Sequence, residues 1–155
     1  MKPMKIMLVD DEERFLLTTS KLLSKKGYEA LTAVSGAEAL EKLASQTVHV
    51  VILDVKMPGL DGVATLKEIK SRFPLVEVIM LTGHASVDSA VEGLKSGAID
   101  YLTKPCDLDV LIEKAEEAYE KTQRLEAKIR MAQTRDYVRP PREILKKAEE
   151  ETAGE

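Results

Sequence analysis

At 155 residues and a net charge of −4, the chain suits one ordinary domain with a short appendage. Its Lys and Arg residues are scattered, so no basic stripe stands ready to neutralise a phosphate backbone, and nucleic acid is set aside as a direct partner. A single cysteine, Cys106, excludes an internal disulfide and a thiolate metal site and suits a half-buried apolar role; no run is long enough to cross a bilayer, and Met1-Lys2-Pro3-Met4-Lys5 lacks the apolar stretch of a secretion signal, so a cytoplasmic protein without a membrane partner is expected.

Taken in chain order, Ile6 to Val9 is the first apolar run, and it ends in Asp10-Asp11-Glu12. Phe15, Leu16, Thr19, Leu22 and Leu23 then recur at spacings of three and four, as on one face of a helix, until Gly27 stops them. Ala30 to Val34 reads as a second strand, and Ser35 with Glu38 forms a capping box ahead of Ala39, Leu40 and Leu43. The third run, Val48 to Leu53, ends in Asp54. Asp61 stands where an N-cap is wanted for a helix carrying Val63, Leu66 and Ile69, which Pro74 ends. The fourth run, Val76 to Leu81, leads into Thr82-Gly83; Ser86 or Asp88 can cap the helix of Val87, Val91 and Leu94, stopped at Gly97. A brief fifth run, Asp100 to Leu102, reaches Lys104-Pro105. Continuous apolar strands alternating with amphipathic helices call for a parallel sheet covered on both faces, here a doubly wound five-stranded α/β domain.

From Leu108 the pattern becomes one long helical stripe of Leu111, Ala115, Ala118, Leu125, Ile129 and Ala132, running to about Gln133. Its early part must pack on the sheet. The part after Lys121 reads either as a solvated extension or as a weak two-stranded coiled coil with a second copy. Pro140-Pro141 ends what precedes it, and the charged, apolar-poor stretch from Glu143 to Glu155 is expected to be largely disordered.

The polar residues follow the runs at their carboxyl ends, where open α/β sheets place their binding crevice. Clustered carboxylates repel one another, and oxygen donors without His or Cys suit Mg²⁺. Asp54, alone at its strand end, is placed to attack phosphorus; Lys104 offers a compact positive charge and Thr82 a hydroxyl to a bound phosphoryl group. Each piece alone reads as a turn, a loop or a helix start, and Tyr101 alone as a core aromatic. Only their conjunction points to phosphoryl chemistry.

Four segments together, Leu8-Val9-Asp10-Asp11-Glu12, Leu53-Asp54-Val55-Lys56-Met57-Pro58-Gly59-Leu60-Asp61-Gly62, Leu81-Thr82-Gly83-His84-Ala85 and Gly97-Ala98-Ile99-Asp100-Tyr101-Leu102-Thr103-Lys104-Pro105, resemble the receiver domain of two-component response regulators. The likeness covers about Lys5 to Lys121, and Leu81-Thr82-Gly83-His84-Ala85 with the long helix after Lys121 is similar to receivers of enhancer-binding transcription regulators. It implies a flavodoxin-like strand order 2-1-3-4-5, a receiver over residues 1–121, and a helical extension with a tail over 122–155. It implies that Asp54 takes a phosphoryl group from a sensor histidine kinase or phosphotransfer protein, and that Asp11, Asp54 and the Lys56 carbonyl ligate Mg²⁺ with Asp10 acting through a metal-bound water. Thr82 and Tyr101 would form the switch pair, Lys104 would pair with the phosphoryl oxygens, and the bond before Pro105 would be cis. The face of the fourth helix, fifth strand and fifth helix would meet a downstream protein partner, and the fifth helix could carry a homodimer.

By the same resemblance the chain is a stoichiometric switch and not an enzyme. It departs from the family at two positions bordering the water path, where it holds Lys56 and His84 instead of the acid or amide often found at one of them. A donor-only ammonium at Lys56 cannot align an attacking water, so a slowly hydrolysing phosphoaspartate is expected. An aspartyl-phosphate phosphohydrolase would need an acid where Lys56 stands. A nucleotide-binding module would need a glycine-rich phosphate loop, which is missing. A stand-alone receiver and the receiver fragment of a larger transcription regulator both remain compatible with the sequence.

Overall fold

The structure, a computed structural model, describes residues 4–55, 62–83 and 87–137. Strands and helices alternate without exception among them: β1 (Lys5–Val9), α1 (Glu13–Lys25), β2 (Glu29–Ala33), α2 (Gly36–Ser45), β3 (Val50–Leu53), α3 (Gly62–Arg72), β4 (Glu77–Thr82), α4 (Val87–Lys95), β5 (Asp100–Thr103) and α5 (Leu108–Tyr137). The strands form one parallel sheet in the order β2-β1-β3-β4-β5, which is the expected doubly wound topology.

The central strands are apolar on both faces because helices cover both. Met7, Val9, Val51, Leu53, Val78 and Met80 face one core with Leu43, Leu66 and Ile69, while Ile6, Leu8, Val50, Ile52, Ile79 and Leu81 face the other with Leu16, Leu23 and Leu111. Alternation along each strand divides the two sets, as the two-residue period of a strand requires.

The helix ends follow local chemistry. Ser35 Oγ accepts the Glu38 amide at 3.2 Å, but the Glu38 carboxylate reaches back to the amide of Val34 and not to that of Ser35, so the capping box is displaced by one residue. Gly97, past α4, has φ +114°, and a β-carbon there would lie 2.9 Å from Cγ of Lys70, so both backbone conformation and space demand glycine. The sequence boundaries shift by one or two residues; β3, for example, begins at Val50 and not at Val48.

The chain divides into two compact units at Thr122–Gln123. In the first, Leu111, Ala115, Ala118 and Thr122 of α5 are buried, and the Thr122 hydroxyl donates to the Leu75 carbonyl at 3.2 Å. In the second, α5 remains helical to Tyr137, with Leu125, Ile129 and Met131 exposed. The tail expected to be disordered lies outside the described residues from Val138 onward, as do the proposed N-caps Asp61 and Ser86.

Candidate functional site

Neighbouring strands hold the backbones of the candidate residues at one edge of the sheet. The Asp10 amide donates to the Ala33 carbonyl at 3.1 Å, the Asp54 amide to the Val9 carbonyl at 2.9 Å, and the Lys104 amide to the Thr82 carbonyl at 2.9 Å. Each bond carries the parallel ladder one residue past a strand end, so side chains far apart in sequence emerge side by side. The bond between Lys104 and Pro105 is cis, as the resemblance implies.

Carboxylate oxygens of Asp10, Asp11 and Asp54 lie within 4.8 Å of one another. Asp10 and Asp54 are buried, at 1% and 4% relative exposure, whereas Asp11 is exposed. Asp10 Oδ1 accepts the Glu12 amide at 2.9 Å, which fixes the turn into α1, and Asp10 Oδ2 accepts from Lys104 Nζ at 2.5 Å. Lys104 Nζ also lies 3.7 Å from Glu12 and 4.2 Å from the centroid of the Phe15 ring.

Burial pushes the Asp10 carboxyl above the usual carboxylate range, and the charge of Asp54 adds to this, although bonds from Lys104 and the Glu12 amide work against it. For Lys104 burial acts to lower the ammonium, but the bond to Asp10 and the charges of Asp10, Asp54 and Glu12 outweigh burial and hold it above the ordinary lysine value. The crevice therefore pairs a firmly cationic lysine with an Asp10 carboxylate whose charged form burial disfavours. Three oxygen donors of this kind could hold a hard divalent cation.

The amino end of α3 approaches the site closely. The Gly62 amide donates to the Val55 carbonyl at 3.0 Å, and a β-carbon on Gly62 would fall 2.4 Å from the carbonyl oxygens of both Asp54 and Val55. Only glycine lets this segment close over the strand end that carries Asp54.

Thr82 is fully buried at the end of β4, and Tyr101 is partly buried on β5, in register with Met80 and packed against the core. Asp10, Asp11, Asp54 and Lys104 thus gather at one crevice, while Lys56 and His84 lie outside the described residues. Two contacts escaped sequence reasoning: Glu12 beside Lys104, and the Phe15 ring beneath its ammonium. A helical apolar position one turn after an acidic strand end was the available signal for Phe15.

A groove of about 480 Å³ adjoins the crevice, lined by Phe15, Leu22, Leu81, Lys104, Pro105 and Leu108 among others, with Cys106 on its wall. Burial, and then the charge of Asp107, push the Cys106 thiol upward, away from the reactive thiolate.

A family model of the response regulator receiver domain matches residues 6–116. The chain is 41% identical over 121 residues to the DNA-binding transcriptional regulator NtrC of Escherichia coli (strain K12), covering 76% of this chain and 26% of that protein. It spans about a quarter of that curated relative, so setting nucleic acid aside applies to the residues of this chain alone. Among solved structures it is similar to a CheY-like response regulator receiver domain protein from Methanospirillum hungatei JF-1, with a TM-score of 0.76, 30% identity, and coverage of 79% of this chain and 98% of that one. It is also similar to the beryllofluoride-activated NtrC4 receiver domain dimer, with a TM-score of 0.72, 37% identity, and coverage of 76% and 98%. No helix among the described residues is long and apolar enough to cross a membrane.

Proposed function

Because this chain belongs to the response regulator receiver domain family, we propose that Asp54 is its phosphoacceptor and that it works as a stoichiometric cytoplasmic switch, not as a turnover enzyme. The observation that carries this reading is the meeting of buried Asp54 with Asp10, Asp11 and the Lys104 ammonium at one sheet edge.

In the proposed reaction an Asp54 carboxylate oxygen attacks phosphorus of a phosphohistidine on a sensor kinase or phosphotransfer protein. The new O–P bond forms as the P–N bond breaks, and the imidazole leaves with the electron pair. Mg²⁺ would be held by Asp11, Asp54 and the Lys56 carbonyl, with Asp10 acting through water; when bound it offsets the repulsion between the carboxylates and the incoming phosphoryl oxygens. Lys104 then exchanges Asp10 for a phosphoryl oxygen and Thr82 donates its hydroxyl, while Tyr101 carries the change to the face of α4, β5 and α5 for a downstream protein partner. Residues 1–121 make up the receiver and 122–155 its extension, through which a second copy could associate by way of Leu125 and Ile129. Truncation after Lys121 should then weaken any dimer seen in sedimentation.

Acetyl phosphate with Mg²⁺ should add one phosphoryl group per chain, read by intact mass, and none to Asp54→Asn. Labelling of that variant would reject the assignment. After donor removal, Lys56→Asn should lose phosphate faster than the wild type; an equal rate would reject the water-blocking role of Lys56. The coverage of its relatives supports a second reading in which the same switch is the receiver part of a longer transcription regulator; that reading leaves the chemistry unchanged.

A further inference from the structure

We propose that Phe15 is a positioning residue for Lys104, its ring face helping to hold the ammonium where it meets the acidic crevice. The inference rests on the role given to Lys104 above and adds to it a residue outside the polar set.

Lys104 has two places to go. On one side are Asp10, 2.5 Å from Nζ, and Glu12 at 3.7 Å; on the other is the groove between α1 and α5, open to solvent and lined by Leu22, Leu81 and Leu108. A lysine stem has four rotatable bonds, and the ammonium at its tip gains hydration by turning outward, an escape that the Asp10 pair opposes and that a further attraction along the stem's path would oppose more. Phe15 lines the same groove and sets its ring 4.2 Å from Nζ, well inside the range in which the negative face of an aromatic attracts a cation. The Lys104 side chain is only 16% exposed there, so the attraction is weakly screened. The ring adds an attraction that favours the position in which Nζ also reaches Asp10.

An aliphatic residue of similar size would fill the core position equally well, since Phe15 packs with the apolar cluster beneath α1. What it could not supply is the quadrupole. Phe15 therefore prepares Lys104 for the phosphoryl group by keeping it within reach of Asp54, whose charge it already senses.

The test compares three side chains at position 15 in the full chain: Phe15→Leu, Phe15→Tyr, and pentafluorophenylalanine, which keeps the ring's shape but reverses the sign of its face. Two rates are read, reductive methylation of the Lys104 amine by peptide mapping and phosphate uptake from acetyl phosphate by intact mass. Phe15→Leu and the fluorinated ring should each label Lys104 about three- to tenfold faster and take up phosphate about three- to tenfold more slowly, with Phe15→Tyr close to wild type. Wild-type labelling in the fluorinated protein, or failure of Phe15→Tyr to restore it, would overturn the proposal and leave the ring as packing alone. Lys104→Ala separates the two readings: uptake as fast as wild type would remove the role of Lys104 itself, while the labelling rates would still decide whether Phe15 holds it.

Discussion

At the amino ends of the strands, opposite charges and donors meet in pairs. Lys70 Nζ donates to the carbonyls of Pro74 at 3.0 Å and Val76 at 2.9 Å and to the Glu77 carboxylate at 3.0 Å, while Lys121 lies 3.8 Å from the other Glu77 oxygen. His49 Nδ1 accepts the Lys5 amide at 2.9 Å. At the carboxyl ends of the same strands three acids crowd together, two of them buried, with Lys104 bonded to Asp10 among them. One end spends its polar groups on holding the sheet, and the other keeps like charges crowded together, which on the proposed reading a cation and a phosphoryl group would relieve. Departures from local consistency of this kind belong at functional sites.

The largest effect separating the two ends should come from Asp54→Asn, which removes phosphate uptake altogether while leaving the amino-end network and the fold intact. Uptake lost together with the native circular dichroism spectrum would mean that Asp54 holds structure as well as function, and the contrast between the ends would collapse.

Next in size is Gly62→Ala. Its new β-carbon meets backbone carbonyls at 2.4 Å, and backbone cannot swing aside as a side-chain tip can. A loss of about 2–3 kcal/mol is expected, with uptake slowed because the strand end bearing Asp54 must shift. Denaturant midpoints and uptake rates measure both, and an alanine tolerated in both would show that the close approach is dispensable.

Much of this was legible in the sequence. The alternating apolar runs and helical periods pointed to a doubly wound parallel sheet, since each run was too short for a helix and too continuous for a half-exposed strand, while the strand order came from the resemblance to receivers. Asp10, Asp11, Asp54 and Lys104 were legible because each stands at or just beyond the end of such a run. Glu77 was hidden inside the run read as Val76 to Leu81: an acid in a buried strand is tolerable only with Lys70 and Lys121 beside it, and Lys121 is a partner that folding alone brings near. The contact of Phe15 with Lys104 was hidden for the same reason, because periodicity assigns a residue to a face without saying what that face meets.

A third prediction sets acid against acid. Mg²⁺ should raise the melting temperature of the wild type, and Asp11→Ala should abolish that rise. Glu77→Gln should keep the rise but lower the metal-free melting temperature, since it strips Lys70 of its carboxylate at a cost of about 1–2 kcal/mol. If Asp11→Ala keeps its full metal response, the crevice is not the site of binding; if Glu77→Gln is as stable as the wild type, the amino-end network contributes nothing.

The smallest effect lies in the pH dependence of stability, measured without divalent cations. Burial first, then the charge of Asp54, raises Asp10 in the folded state. Its favourable contribution is therefore fully present below the unfolded value of about 3.9 and is lost as pH rises through the folded value, leaving a penalty at neutral pH. Asp10→Asn cannot titrate, so its stability relative to the wild type should climb with pH across the acidic range and level off above the folded value. Lys104 stays charged throughout that range, so losing its bond to Asp10 changes the offset between the two proteins and not the direction of the trend. Glu38 supplies the opposite sign: its hydrogen bond from Lys42, then that from the Val34 amide, lowers its carboxyl, so its contribution is present above the unfolded value and lost as pH falls through the folded one. Glu38→Gln should accordingly lose ground to the wild type as pH rises. Urea midpoints at several pH values would read both trends, and a stability of Asp10→Asn relative to the wild type that falls with rising pH would show that Lys104 and the Glu12 amide, not burial, govern Asp10.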